Sequence, residues 1–240
     1  MKSRRLAEME SYILSNGSVT MEELRDHFGI SMNTVRRDNA EIVKPGYIEK
    51  VYGGVKAQTK TPALVPYSVR STSPSTVKQK ICLAAGEMVK DGDIIFIDSG
   101  TTTIHIMDAI QDKNITVITN NIEVMIQALE HENIRIIVVP GEIHRKTHSI
   151  TGEDSAAFIS HLNTDIAFMA AIGASFSGVT NSSPLEYSIK KSAVGHTQRA
   201  VLLITGEKFG VTSLLSYASL SQFNAVYTNS AIPQEYRDRL

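Results

Sequence analysis

The chain has 240 residues, with 24 Lys and Arg against 25 Asp and Glu, 42% hydrophobic residues, one cysteine and no tryptophan. That composition excludes wholesale disorder, and a lone Cys82 excludes a disulfide framework or a cysteine zinc cluster and fits a reducing compartment. No apolar run approaches the roughly 18–20 residues of a membrane-spanning helix, and Met1-Lys2-Ser3-Arg4-Arg5 does not lead into the apolar core of a signal peptide. A cytoplasmic protein is expected.

The first unit, residues 1–57, has helical spacing throughout. Leu6, Met9, Ile13 and Leu14 form an apolar stripe. Thr20 with Glu23 makes a capping box at the head of a second helix, which Gly29 ends. Ser31 caps a third helix with Val35 and Ile42 inward, ending before Pro45-Gly46. Tyr47–Val51 alternates as a strand, Gly53-Gly54 turns it and Val55 begins the return. Three helices and a hairpin are the layout of a winged helix-turn-helix. Residues 58–76 hold Pro62, Pro66 and Pro74 among Ser and Thr, and predict a linker and hinge.

Residues 77–240 have a different grammar. Ile94–Ile97, Ile115–Ile118, Ile134–Val139, Ile166–Ile172, Val201–Ile204 and Ala225–Tyr227 are short apolar runs suited to strands buried on both faces. Helical stretches alternate with them around Val77–Lys90, Thr103–Gln111, Ile122–Glu130, Asp154–His161 and Leu185–Gln198. The expected fold is α/β: a small winged helix-turn-helix followed by a mainly parallel α/β domain. The chain stops at Leu240, soon after the last apolar run, which predicts a shortened sheet edge.

The third helix carries the DNA-reading candidates. A recognition helix in the major groove points its N-terminal residues at base edges. Asn33 can pair adenine, Arg36 or Arg37 can pair guanine or grip phosphate, and Ser31 and Thr34 offer short hydroxyls to phosphate. Asp38 is expected to hold an adjacent arginine, and Lys50 and Tyr52 on the hairpin to touch backbone or minor groove. Residues 1–57 hold nine basic and eight acidic residues, so arrangement and not charge makes the case; on charge alone a solvated helix face explains Arg36-Arg37 equally well.

Asp98-Ser99-Gly100-Thr101-Thr102-Thr103 follows a buried strand and opens a helical stretch. Hydroxyls, amide N–H groups and a glycine for close approach make a candidate anion cradle, though a Ser/Thr helix cap explains the same six residues. The run is neither a P-loop nor GxGxxG, so ATP and NAD have no support and no cofactor is expected. In an open α/β sheet the loops after the strands converge on a crevice. Arg145, Lys146, Asn181, Glu186, Lys190, Lys191 and Lys208 are the charged and polar candidates there. His144 and His148 lack the setting of a zinc helix, so no metal site is expected. Cys82, Met107, Met125 and Met169 read as packing.

Val19–Leu24, Phe28–Ser31, Thr34–Asp38 and Glu49–Val55, with their TVRRD and YGGV runs, resemble the DeoR family of bacterial sugar-catabolism repressors. The likeness continues through Ile97–Thr103, Leu185–Lys191 and Lys208–Gly210. Within the family it is closest to the branch repressing myo-inositol catabolic operons, through Asn33–Asp38, Ile48–Val55, Ala63–Pro66 and Phe96–Thr103. The resemblance implies a repressor that binds operator DNA as a dimer or tetramer. It also implies a sensor domain with the fold of ribose-5-phosphate isomerases that takes a phosphorylated sugar or sugar acid, a deoxy-keto-gluconate phosphate in the inositol case. Asp98–Thr103 would hold the phosphate, and Glu186, Lys190 and Lys208 the sugar end. Three departures stand out: Asn39 where the family has leucine, Pro45 where it has another residue, and Thr205 and Glu207 before Lys208. A buried amide at Asn39 is expected to cost about 1–3 kcal/mol if unpaired. The rivals are a sugar-phosphate isomerase using Glu186 and Asp98 as acid–base groups, and a metabolite-binding adaptor that no longer grips DNA.

Overall fold

The computed structural model describes residues 2–43, 48–57, 66–71 and 75–237. Pro45, Tyr47, Pro62 and Pro74, with most of the expected linker, lie outside them. The chain divides into two compact units, Met1–Ser73 and Pro74–Leu240.

The first unit runs α1 (Lys2–Asn16), β1 (Ser18–Thr20), α2 (Met21–Phe28), α3 (Met32–Ile42), β2 (Ile48–Val51), β3 (Gly54–Ala57) and α4 (Tyr67–Ser71). The helix ends follow the expected caps. Thr20 and Glu23 close a capping box on α2, Gly29 takes a left-handed turn at φ 60°, and the Ser31 side chain accepts the Thr34 N–H at the start of α3. Gly29 therefore makes the tight corner of the helix-turn-helix at low strain. Met9, Ile13, Val19, Leu24, Val35, Ile42, Ile48 and Val55 form one core. Strand β1 was not expected. It pairs antiparallel with β3, in a three-stranded sheet ordered β1-β3-β2. Gly54 makes this possible, because a Cβ there would sit 2.3 Å from the Val19 carbonyl oxygen. Helix α4, inside the stretch expected to be linker, buries Tyr67 and Val69.

The second unit begins α5 (Ser75–Gly86), β4 (Ile94–Ile97), α6 (Ile106–Ile110), β5 (Ile115–Thr119), α7 (Ile122–Ala128) and β6 (Ile134–Val138). A hairpin of β7 (Glu142–His144) and β8 (Ser149–Thr151) follows, then α8 (Glu153–Ser160), β9 (Thr164–Ala170), β10 (Gly173–Ser175), β11 (Gly178–Asn181) and α9 (Pro184–Gly195). The chain continues through β12 (Thr197–Leu203), β13 (Leu215–Ala218), the three-residue edge strand β14 (Ala225–Tyr227) and α10 (Gln234–Arg237).

Six strands form a parallel sheet ordered β14-β12-β9-β4-β5-β6. Alternation along the strands splits the core into two faces. Phe96, Ala167, Met169 and Leu202 pack on one side with Ile159 of α8 and Ile189 of α9. Ile95, Ile97, Ile166, Phe168, Val201 and Leu203 pack on the other with Ile81, Cys82 and Ala85 of α5, Ile106 and Ile110 of α6, and Val124 of α7. Chain order reverses between β4 and β9, so a crevice is expected at their C-terminal ends. A second, antiparallel sheet of β10, β11 and β13 was not expected. The single helix expected over Thr103–Gln111 is instead a 3-10 turn, Thr103–His105, followed by the five residues of α6. Side-chain bonding shapes this entry: Thr103 Oγ1 donates to the Asp98 and Gly100 carbonyls at 2.6 and 3.2 Å.

Candidate functional site

In the first unit α3 buries Val35, Asp38, Asn39 and Ile42 and turns Asn33, Arg36 and Arg37 to solvent. Ser31 is exposed and Thr34 half-buried, with their hydroxyls 2.9 Å apart. On the hairpin Lys50 is exposed, and Tyr52 at its tip has a relative exposure of 108%. An aromatic ring with no packing role on a wing is available to a partner. The expected job of Asp38 changes. Its Oδ2 accepts from Arg5 of α1, with Nε at 2.8 Å and Nη2 at 2.7 Å, whereas Arg37 Nε stands 3.9 Å from Oδ1. Asp38 thus ties α3 to α1 and leaves the Arg37 side chain 65% exposed. Asn39 is fully buried; among the described residues its Nδ2 reaches only the Met21 sulfur at 3.0 Å, and its Oδ1 has no partner.

In the second unit the loop after β4 lies at the reversal point, and Asp98, Ser99, Thr101, Thr102 and Thr103 are all buried. Gly100 is required for close approach, since a Cβ would sit 2.6 Å from that of Ala170 at the end of β9. Asp98 Oδ2 accepts from Lys190 Nζ of α9 and from the Ala170 N–H at 2.9 Å. Burial pushes the Asp98 carboxyl above its ordinary range, and Lys190 and the Ala170 amide pull the other way. Lys190 also lies 5.5 Å from the Tyr217 ring, whose hydroxyl donates to the Ala170 carbonyl at 2.9 Å. Burial and the Asp98 charge raise that phenol well above its ordinary value.

Glu186, one turn earlier on α9, is a hub. Its Oε1 accepts from Ser99 at 3.0 Å and from Ser149 of β8 at 2.9 Å, and its Oε2 accepts from Asn181 of β11 at 3.2 Å. Cradle, hairpin and small sheet therefore meet on one carboxylate. Lys208 Nζ donates to the Ala171 carbonyl at 3.0 Å, one residue beyond the carbonyl that Lys190 reaches. Arg145 and Lys146 are exposed in the turn between β7 and β8, and Ser149 makes the hairpin's contact with Glu186.

Three participants were missed by sequence reasoning. Lys78 of α5 is buried and donates to Thr101 Oγ1 at 3.2 Å. Its signal was present: Lys78 continues the stripe of Ile81, Cys82, Ala85 and Val89, so a lysine stood at a core position. Ser149 and Tyr217 lie on strands too short to betray a period. Cys82 is fully buried as expected, and its thiol also donates to the Thr102 carbonyl at 3.1 Å, pinning the cradle to α5. Lys78, Lys190 and Lys208 bring three amino groups to the same buried cluster as Asp98 and Glu186. A 3-10 turn and a five-residue helix align few peptide dipoles, so an anion there depends on lysine and individual donors more than on a helix terminus.

A solvent-facing reading helix with its wing, and a second unit with polar and charged groups buried at the C-terminal ends of its central strands, define a DNA-binding regulator with a sensor domain. Residues 5–61 match the DeoR-like helix-turn-helix domain and residues 74–230 the DeoR C terminal sensor domain. The chain is 41% identical over 238 residues to the HTH-type transcriptional regulator IolR of Bacillus subtilis strain 168, covering 98% of this chain and 94% of that protein. It is 29% identical over 227 residues to the glycerol-3-phosphate regulon repressor of Escherichia coli K12, covering 92% and 88%. Among solved structures it is similar to ribose 5-phosphate isomerase A from Methanocaldococcus jannaschii, with TM-score 0.41, 18% identity, and 57% and 55% of the two chains covered. The chain belongs to the DeoR family of transcriptional repressors.

Proposed function

We propose that this protein represses a polyol catabolic operon, that of myo-inositol, and that a phosphorylated sugar acid in the Asp98–Thr103 crevice releases it from operator DNA. The strong likeness to IolR supports the operon, and the glycerol-3-phosphate repressor supports a phosphorylated effector. The observation that carries the reading is the buried polar cluster after β4: Lys78, Lys190 and Lys208 gather with hydroxyls and Glu186 beyond the C-terminal ends of the central strands β4 and β9. Ser31, Asn33, Thr34, Arg36 and Arg37 face the major groove, and Lys50 and Tyr52 face the backbone or minor groove. Residues 1–57 form the DNA-reading domain, 58–76 join it to the sensor, and 77–240 take the effector.

Release requires that the effector favour a conformation poor at binding DNA, since equal affinity for both states shifts nothing. One short helix reads few base pairs, so a dimer or tetramer on paired half-sites supplies the specificity. The protein works in the cytoplasm, where its DNA and metabolite are; no helix among the described residues is long and apolar enough to cross a membrane. It is not an enzyme: the relatives it matches are named transcriptional regulators, and both Glu186 oxygens are committed to three hydrogen-bond donors, so that carboxylate is not poised to move substrate protons. Purified protein that turns over pentose or hexose phosphates, and loses the activity on Glu186→Gln, would overturn that. Retardation of DNA carrying the promoter of an adjacent inositol operon, reversed by phosphorylated sugar acids, tests the whole reading.

A further inference from the structure

We infer that the sensor reads hydroxyl groups on its effector as well as the acid group, and that Asp98 Oδ1 and Asn120 Oδ1 are the acceptors that read them. This rests on the crevice reading above and adds the part of the ligand that the lysines do not specify. Both side chains are fully buried, and neither oxygen has a hydrogen-bond partner among the described residues. Buried acceptors are seldom left this way, because desolvation is not repaid.

The remaining atoms of each group are fixed. Asp98 Oδ2 is held by Lys190 and the Ala170 N–H. Asn120 Nδ2 donates to the Ile150 carbonyl of β8 at 3.3 Å, which settles the orientation of the amide and leaves Oδ1 as the end facing away from that carbonyl. The two residues also follow a pair of neighbouring strand ends. Ile97 and Thr119 are partners on the neighbouring parallel strands β4 and β5, and Asp98 and Asn120 are the next residue on each. Adjacent strands lie about 4.8 Å apart, a separation that a polyol chain spans with neighbouring hydroxyls.

Both atoms are acceptors, so a deprotonated phosphate or carboxylate oxygen gains nothing from them and a hydroxyl does. The crevice is thereby divided. Lys78 with Thr101 serves the anion, and the Asp98–Asn120 edge serves the carbon chain that carries it. The ligand class that fits is an acyclic or cyclic polyhydroxylated acid with an ester phosphate, not a small dianion. A site built around buried acceptors discriminates strongly against an analogue lacking the matching donors.

Calorimetric titration of the full chain with 6-phosphogluconate and with 2-phosphoglycolate tests this. The first carries hydroxyls; the second has the same two acid groups and none. Wild-type protein binds 6-phosphogluconate at least about tenfold more tightly. Asn120→Ala weakens 6-phosphogluconate about tenfold and leaves 2-phosphoglycolate unchanged, as loss of one acceptor predicts and a general structural role does not. Equal affinity of the wild-type chain for the two probes overturns the inference without recourse to any variant, as does an Asn120→Ala protein weakened equally for both or for neither. Lys78→Met separates this failure from that of the crevice reading. If it loses both probes while hydroxyls prove irrelevant, the crevice stands and only the inference falls. If Lys78→Met binds both as wild type does, or the wild-type chain binds neither, both fall together.

Discussion

Asn39→Leu should make the DNA-reading unit more stable. Asn39 is fully buried on the core side of α3, between Val35 and Ile42. Among the described residues its Oδ1 has no partner, and its Nδ2 has only the Met21 sulfur, a weak acceptor, at 3.0 Å. A buried unsatisfied acceptor costs about 1–3 kcal/mol, and the N–H···S contact returns little of it. Leucine repeats asparagine's branching at Cγ, so the substitution removes the penalty with little change of shape. It also adds buried apolar surface worth about 25 cal/mol per Å². The net gain should be about 1–3 kcal/mol, which for a domain of 60–100 residues raises the melting temperature by roughly 4–8 °C per kcal/mol. Hydrogen exchange of the α3 amides in the full chain isolates this unit from the sensor. Slower exchange in α3, with the sensor's strands unchanged, is the expected result. Equal or faster exchange would refute the claim that the amide is uncompensated.

Other substitutions probe separate contacts. Arg36→Ala should cut operator affinity by about 1–3 kcal/mol if it pairs a guanine, or weaken all DNA alike and flatten the salt dependence if it holds phosphate; unchanged binding in both respects removes it from the interface. Arg5→Met strands the buried Asp38 carboxylate, a loss that reaches about 3–5 kcal/mol for fully buried pairs and is reduced by the 27% exposure of Arg5. Denaturant unfolding of the first unit at wild-type stability would show that the pair holds nothing. Burial, with a smaller contribution from Asp108, raises the Cys82 thiol far above its ordinary value, so thiolate is scarce at neutral pH. Native protein should resist a thiol-specific reagent that labels it stoichiometrically once unfolded, and rapid labelling of the native form would contradict the packing.

Particular residues show why much of this was legible in the sequence. Thr20 and Glu23, Gly29, and Ser31 act through bonds closed within a few residues, so the helix-turn-helix could be read locally. Ile94–Ile97 is an apolar run between two aspartates, and it is the strand β4 to the residue. Burial of Asn39 followed from its helical spacing to Val35 and Ile42. What stayed hidden depends on partners far along the chain. Asp38 was expected to hold an adjacent arginine; Arg37 comes only to 3.9 Å, and the close partner is Arg5, 33 residues away. Strands β7, β8, β10, β11 and β13 are three or four residues each, too short to show a period, and exist through pairing. Ser149 donates to Glu186 from β8, which returns antiparallel beside β7 and bridges Asn121. Lys78 was visible as a cation in an apolar stripe, but its meaning required the Thr101 hydroxyl above it.

The central claim, that an anionic metabolite in the sensor controls the grip on DNA, is tested most directly by one titration. Operator retardation is measured against increasing 6-phosphogluconate and related sugar-acid phosphates, for wild type and for Thr101→Ala with Thr102→Ala. Wild type should release DNA at low ligand concentration, while the double variant should bind the operator as well as wild type and release it only at much higher concentration. A variant that responds as wild type does would show that the ligand acts elsewhere.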